Sequence, residues 1–138
     1  PCVVMSPKSL LRHPAVISPL SEFTDGAFRE VIDDPNVQAK EVKKVVLCTG
    51  KIFYDLQEVQ QKKKIKEVAL VRLEQLHPWP EKQLKEILKK YKNAKLVWVQ
   101  EEPANMGYYS YVIRQMPGQA LELISRKASA SPATGYSK

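Results

Sequence analysis

This chain has little of what metal and redox centres need. Two cysteines and two histidines are spread over 138 residues, with no CxxC pair and no ligand-spaced histidines. That excludes zinc modules and disulfide-dense scaffolds. Cys2 and Cys48 each stand in a strand-like apolar run, the setting of buried free thiols rather than of a disulfide. His13 and His77 each precede a proline in a connection, so both read as turn residues before they read as bases. Carboxylates are also in deficit: 15 Asp and Glu face 22 Lys and Arg, for a formal charge of +7. No apolar run approaches the roughly 18 residues of a membrane-spanning helix, and no basic-then-apolar leader opens the sequence. The chain starts at Pro1, one residue ahead of a strand-like run, and is expected to be a piece of a longer protein.

What is present suits one folded domain. The composition, 43% hydrophobic and 27% charged, is that of a globular protein long enough to bury a core. Residues 3–5 read as a short strand and 9–12 as a helical turn ended by His13-Pro14. A helix is expected over 27–32, between the turn signals Asp25-Gly26 and Asp34-Pro35. From residue 44 the pattern becomes regular, with strands predicted over 44–48, 67–73, 96–100 and 121–125. Helices are predicted over 52–61, over 81–91 and between 107 and 116. The first carries Ile52, Leu56 and Val59 on one stripe. The second, opened by Pro80 or Glu81, places Leu84, Ile87, Leu88 and Tyr91 at i, i+3, i+4 and i+7. Strands alternating with helices predict an α/β fold of three layers, a mostly parallel sheet flanked by helices. Residues 126–138 carry too little apolar mass to pack alone. They are expected to form an extended tail, either disordered or laid on another surface.

The most informative stretch is Gln100-Glu101-Glu102-Pro103-Ala104-Asn105-Met106-Gly107, which follows the buried-strand run Leu96-Val97-Trp98-Val99. Open α/β sheets place their working groups at such strand exits. Neighbours on a strand point to opposite faces, so one of Glu101 and Glu102 at most faces a given cleft, and no nearby histidine or serine completes a catalytic set. Cys48-Thr49-Gly50-Lys51, between a strand and a helix, could meet a phosphate at the helix N-terminus. It lacks the first glycine of a GxxxxGK[ST] loop, and the plain tight turn is the stronger reading. Tyr108, Tyr109 and Tyr111 mark a buried contact more readily than a base-stacking platform. Lys62, Lys63, Lys64, Lys66, Lys82, Lys85, Lys89, Lys90 and Lys92 read first as the solvated faces of helices.

Four segments carry a family resemblance. They are Met5-Ser6-Pro7-Lys8-Ser9-Leu10-Leu11-Arg12-His13-Pro14, then Val71-Arg72-Leu73-Glu74-Gln75-Leu76 with Pro78 and Pro80. Next come Gln100-Glu101-Glu102-Pro103 with Asn105 and Gly107, and Ala128-Ser129-Ala130-Ser131-Pro132-Ala133 with Gly135. In this order they resemble the C-terminal domain of the thiamine diphosphate-dependent decarboxylating component of the 2-oxoglutarate dehydrogenase complex. Tyr109 stands where family members commonly carry a tryptophan, a departure that puts an indole N–H contact in doubt.

The resemblance implies a domain of the transketolase C-terminal type, spanning residues 1–138 of this sequence. It implies a parent that decarboxylates 2-oxoglutarate on thiamine diphosphate and passes a succinyl group to lipoyl groups in the tricarboxylic acid cycle. In that family the cofactor, its magnesium ion and the catalytic histidines belong to preceding domains, so this chain alone is expected to be inactive, with no catalytic, cofactor-binding or metal residues of its own. Its implied role is to complete the subunit and help form the homodimer, beside a lipoyl-bearing succinyltransferase core. Contacts with neighbouring domains are expected at Ser6, Lys8, Arg12 and His13, and at Glu101, Glu102, Asn105, Tyr108 and Tyr109. Some relatives bind an acyl-CoA effector through basic residues, and Arg29, Arg126 and Lys127 stand near where such contacts would fall. A lysine at 127 in place of a second arginine loses one bidentate fork toward phosphate. The implied location is the cytoplasm in a bacterium or the mitochondrial matrix in a eukaryote, with neither nucleic acid nor membrane as partner. The competing readings are a stand-alone basic module for polyanions, a small phosphate-binding enzyme built on Thr49-Gly50-Lys51, and the related 2-oxoadipate dehydrogenase.

Overall fold

The computed structural model describes residues 1–135. Its centre is a five-stranded sheet in the order β1-β3-β2-β4-β5. The strands are β1 (Val31–Ile32), β2 (Lys44–Cys48), β3 (Val68–Leu73), β4 (Lys95–Pro103) and β5 (Leu121–Arg126). All neighbours run parallel except β1, which pairs antiparallel with β3, Val31 opposite Leu73. The helices are α1 (Ser21–Thr24), α2 (Ile52–Lys62), α3 (Glu81–Leu88) and α4 (Tyr109–Gln115).

The unbroken apolar runs of β2 and β4 are explained by burial on both faces. On one face Val45, Leu47, Val71, Leu73 and Trp98 meet Leu84, Ile87 and Tyr91 of the α3 segment and Val112 and Met116 of the α4 segment. On the other, Val46, Cys48, Leu70, Val97 and Val99 meet Phe53, with Ile52 and Leu56, on α2. The expected three layers are therefore present, with one helix above the sheet and two below. Right-handed crossovers require this split, because β2 to β3 and β3 to β4 step in opposite directions across the sheet.

The first thirty residues depart from expectation. No strand forms at 3–5; Val3, Val4 and Met5 stay 80–91% exposed, because no strand of this sheet lies beside them. Cys2 is accordingly exposed and only Cys48 is buried. The helix expected over 27–32 is absent. Gly26 and Pro35 confine that segment to turns and extended backbone, and Val31–Ile32 instead adds an edge strand to β3. Buried Asp34 secures this edge by accepting the Leu70 N–H at 2.9 Å and the Gln60 amide at 2.7 Å. The tail is laid on the domain. Asn105 and Ser129 exchange two hydrogen bonds, Nδ2 to carbonyl at 3.0 Å and N–H to Oδ1 at 3.1 Å. Arg126 also donates to the Pro132 carbonyl at 2.6 Å. Residues 136–138 of the predicted tail lie outside the described residues.

Candidate functional site at the strand exits

The connection after β2 leads to α2 on one face and the connection after β4 leads to α4 on the other. Adjacent parallel strands whose connections diverge open a crevice at their carboxyl ends, the usual ligand position in open α/β sheets. Here side chains of this chain close it. Lys51 Nζ lies 2.5 Å from Glu101 Oε1 on β4 and 3.2 Å from Asp55 Oδ2 one turn along α2. The hydrogen bond to Glu101 raises the Lys51 pKa above its ordinary value; burial opposes that shift and Asp55 adds to it. An ammonium held between two carboxylates offers nothing to a phosphate, and Glu101 would repel one. The phosphate-loop chemistry considered for Thr49-Gly50-Lys51 thus has no support in the geometry. The Thr49 hydroxyl also turns inward, donating to the Leu73 carbonyl at 2.7 Å.

Beneath the crevice, Gln100 organises the 100–107 loop. Its Oε1 accepts the Trp98 indole N–H at 2.8 Å and the Tyr109 N–H at 3.3 Å. Its Nε2 donates to the Met106 carbonyl at 2.7 Å and the Pro103 carbonyl at 3.1 Å. Sequence reasoning singled out the two glutamates and overlooked this residue. The available signal was a glutamine directly after an apolar strand, which must find partners if buried.

The predicted site residues separate into groups. His13 comes to the strand exits: its Nδ1 accepts the Ala15 N–H at 3.2 Å, and its ring lies 5.6 Å from that of Tyr54 on α2. Beside them Arg72 stacks 4.4 Å from the Phe53 ring centroid and pairs with Glu74 at 2.8 Å. Ser6, Lys8 and Arg12 are exposed on the same arm. Glu101 faces Lys51; Glu102 is half-buried and has no ion pair among the described residues, and both glutamates line the groove between α2 and β5. Asn105 holds the tail. Tyr109 and Tyr111 are tied into this domain through the Leu121 and Leu76 carbonyls at 3.0 and 2.8 Å. Of the three tyrosines, only Tyr108 is exposed.

Arg29 and Arg126 are not brought together. Arg29 precedes edge strand β1 and pairs with Glu22 at 2.9 Å. Arg126 ends the opposite edge, β5, roughly 19 Å away at ~4.8 Å per strand spacing. Lys127 is exposed beside it. Between α2 and β5 a groove of about 640 Å³ has Leu56, Val59, Val99 and Ile124 along it, with Pro132 of the tail at its rim.

Comparison with known proteins gives this arrangement its family. The profile of the 2-oxoglutarate dehydrogenase C-terminal family matches residues 17–138. The chain belongs to that family. It is 45% identical over 143 residues to the 2-oxoglutarate dehydrogenase E1 component of Cupriavidus necator, covering 99% of this chain and 15% of the relative. The oxoglutarate dehydrogenase of Buchnera aphidicola is 44% identical, over 100% of this chain and 16% of its own length. The mitochondrial 2-oxoglutarate dehydrogenase of Caenorhabditis elegans is 43% identical, over 98% and 14%. The chain thus spans only 14–16% of the length of these relatives.

Proposed function

We propose that this chain is the C-terminal domain of a 2-oxoglutarate dehydrogenase E1 subunit, and that its strand exits and N-terminal arm dock against the rest of the enzyme. The parent reaction is oxidative decarboxylation of 2-oxoglutarate with succinyl transfer to lipoyl groups. The supporting observation is convergence: the His13 and Glu101 segments, far apart in sequence, belong to one pole of the sheet. The arm leading there exposes Val3, Val4, Met5 and Ile17, apolar side chains with no cover in this domain.

The strand-exit residues of this chain offer no ready place for thiamine diphosphate and its magnesium ion. Among the described residues no three His, Cys, Asp or Glu side chains assemble as a metal set, and the strand-exit lysine is already held by carboxylates. On the pattern of the family we place cofactor and chemistry in other domains of the longer enzyme, with a homodimer partner and a lipoyl-bearing succinyltransferase core as its associates. Such an enzyme works in the bacterial cytoplasm or the mitochondrial matrix. An acyl-CoA effector, if this parent has one, would use Arg126 and Lys127 separately from Arg29.

Turnover of 2-oxoglutarate and of 2-oxoadipate by the full-length protein, with and without thiamine diphosphate, tests the assignment. Cofactor-dependent turnover with preference for 2-oxoglutarate is expected. Preference for 2-oxoadipate would move the chain to that relative, and turnover of neither would overturn the proposal.

A further inference from the structure

The opposite pole of the sheet, where the parallel strands begin, is built differently. At the strand exits Lys51 and Arg72 each have a carboxylate partner. At the strand starts, Lys44 of β2 stands in register with Lys95 of β4, and like charges directly opposite on neighbouring strands repel. Neither has an ion pair among the described residues. Exposed Lys66 precedes β3 on the other side of β2, and exposed Lys40, Lys63 and Lys64 line a shallow cavity of about 650 Å³ there. Glu41 and Glu67 are the carboxylates of that cavity, and Glu67 is held by Lys43 at 3.1 Å.

A second local rule is broken at the same pole. Helix α2 ends in a Schellman arrangement, with the Ile65 N–H on the Gln60 carbonyl at 2.9 Å and the Lys64 N–H on the Gln61 carbonyl at 3.1 Å. The residue that must turn left-handed there is ordinarily glycine; here it is Lys64, at φ +53°. A lysine where the backbone favours glycine, at the same pole as two lysines in register, is a double departure from local stability, and such departures gather at functional surfaces.

The geometry points to this lysine pole as a docking surface for an acidic protein segment. The cations are all lysines, which act as point charges without the planar fork of arginine. No aromatic side chain lines the cavity to stack on a base, and Ile65 is its one large apolar residue, too little to insert into a lipid surface. The interspersed Glu41 and Glu67 suit a partner of mixed charge rather than a uniform polyphosphate. That the pole stays open in the assembled enzyme rests on the proposed docking of the opposite pole.

The test uses the full-length enzyme with labelled poly-L-glutamate as probe, read by fluorescence anisotropy at low salt and again at rising salt. A Lys44→Gln/Lys64→Gly/Lys95→Gln variant is compared with a Lys82→Gln/Lys85→Gln/Lys89→Gln control on α3 and the turn that follows it. We expect the pole variant to bind about tenfold more weakly, the sum of three weak surface pairs, and the control to bind as wild type. The pole variant should also melt at a higher temperature, because repulsion and left-handed strain are relieved. Equal weakening in the control, unchanged binding, or a lowered melting temperature overturns the inference. Tighter binding of duplex DNA or phosphatidylserine vesicles than of polyglutamate, lost in the same variant, reassigns the pole to nucleic acid or membrane. Failure of the docking proposal would appear in subunit association and turnover, which this assay does not read.

Discussion

Gly107 and Gln100 fit together with no room for a side chain between them: a Cβ on Gly107 falls 2.8 Å from Gln100 Nε2. The backbone there is left-handed, φ +74°. Gly118 is also left-handed, at φ +78°, yet a Cβ on it meets nothing within 4 Å. Gly118→Ala should therefore cost only the conformational strain, about 1 kcal/mol, and Gly107→Ala about 2–3 kcal/mol. Urea unfolding of both variants checks the difference. Equal losses would mean that the loop yields and Gln100 does not fix it.

Gln100 itself satisfies a buried indole and several loop carbonyls. Gln100→Leu keeps much of the volume and leaves these groups unpaired, at an expected cost of about 2 kcal/mol. Exchange of the Trp98 indole proton, followed by NMR, should accelerate with it.

Asp34 holds an edge of the sheet from outside any strand. Its carboxylate accepts from Leu70 N, Gln60 Nε2 and Asn36 N at 2.9, 2.7 and 2.8 Å. Asp34→Ala should cost about 3 kcal/mol. The loss should appear first as faster amide exchange at Leu70, while the Val46 amide at the sheet centre stays protected.

Stability should fall in alkali. Burial pushes the Cys48 thiol from 9.0 up to about 12, with Arg72 opposing the shift and Glu74 adding to it. Between those pH values the unfolded chain has released this proton and the folded chain has not, so unfolding becomes easier as pH rises, by up to about 4 kcal/mol in total. Below pH 9 the thiol is protonated in both states and contributes no slope. Lys51 adds a loss in the same alkaline range, because above the ordinary lysine value of 10.5 the unfolded chain releases its ammonium proton while the raised folded-state pKa retains it. Denaturant midpoints across this range for wild type and Cys48→Ala check the account: the variant should show the shallower decline.

The regular half of the chain was legible because burial on both faces leaves a plain record. Val45 to Cys48 and Val97 to Val99 could only be central strands, and Leu84, Ile87 and Tyr91 fall on one helical face. The first thirty residues misled for a physical reason. Residues 3–5 have the composition of a strand, but a strand requires a neighbour, and this sheet offers them none. Val31–Ile32 forms an edge strand through pairing with Leu73 and Arg72 and through the hold of Asp34 on Leu70, neither of which local pattern encodes. At the strand exits the motif residues were visible and their partners were not. Either Glu101 or Glu102 is expected to meet a neighbouring domain, and the sequence gives no sign that Glu101 also pairs with Lys51 of this domain. The lysines were read along the chain as solvated helix faces, and only the strand register places Lys44 against Lys95.

The docking proposed for this domain rests on the exposed apolar side chains of its N-terminal arm. Its most direct test is a Val4→Asp/Met5→Asp variant of the full-length enzyme, with subunit association by sedimentation and 2-oxoglutarate turnover measured on the same sample. Association and turnover should fall together, by tenfold or more, while melting of the C-terminal domain itself is unchanged, because Val4 and Met5 are 80% and 91% exposed in it. Full turnover from a fully assembled variant would contradict this docking.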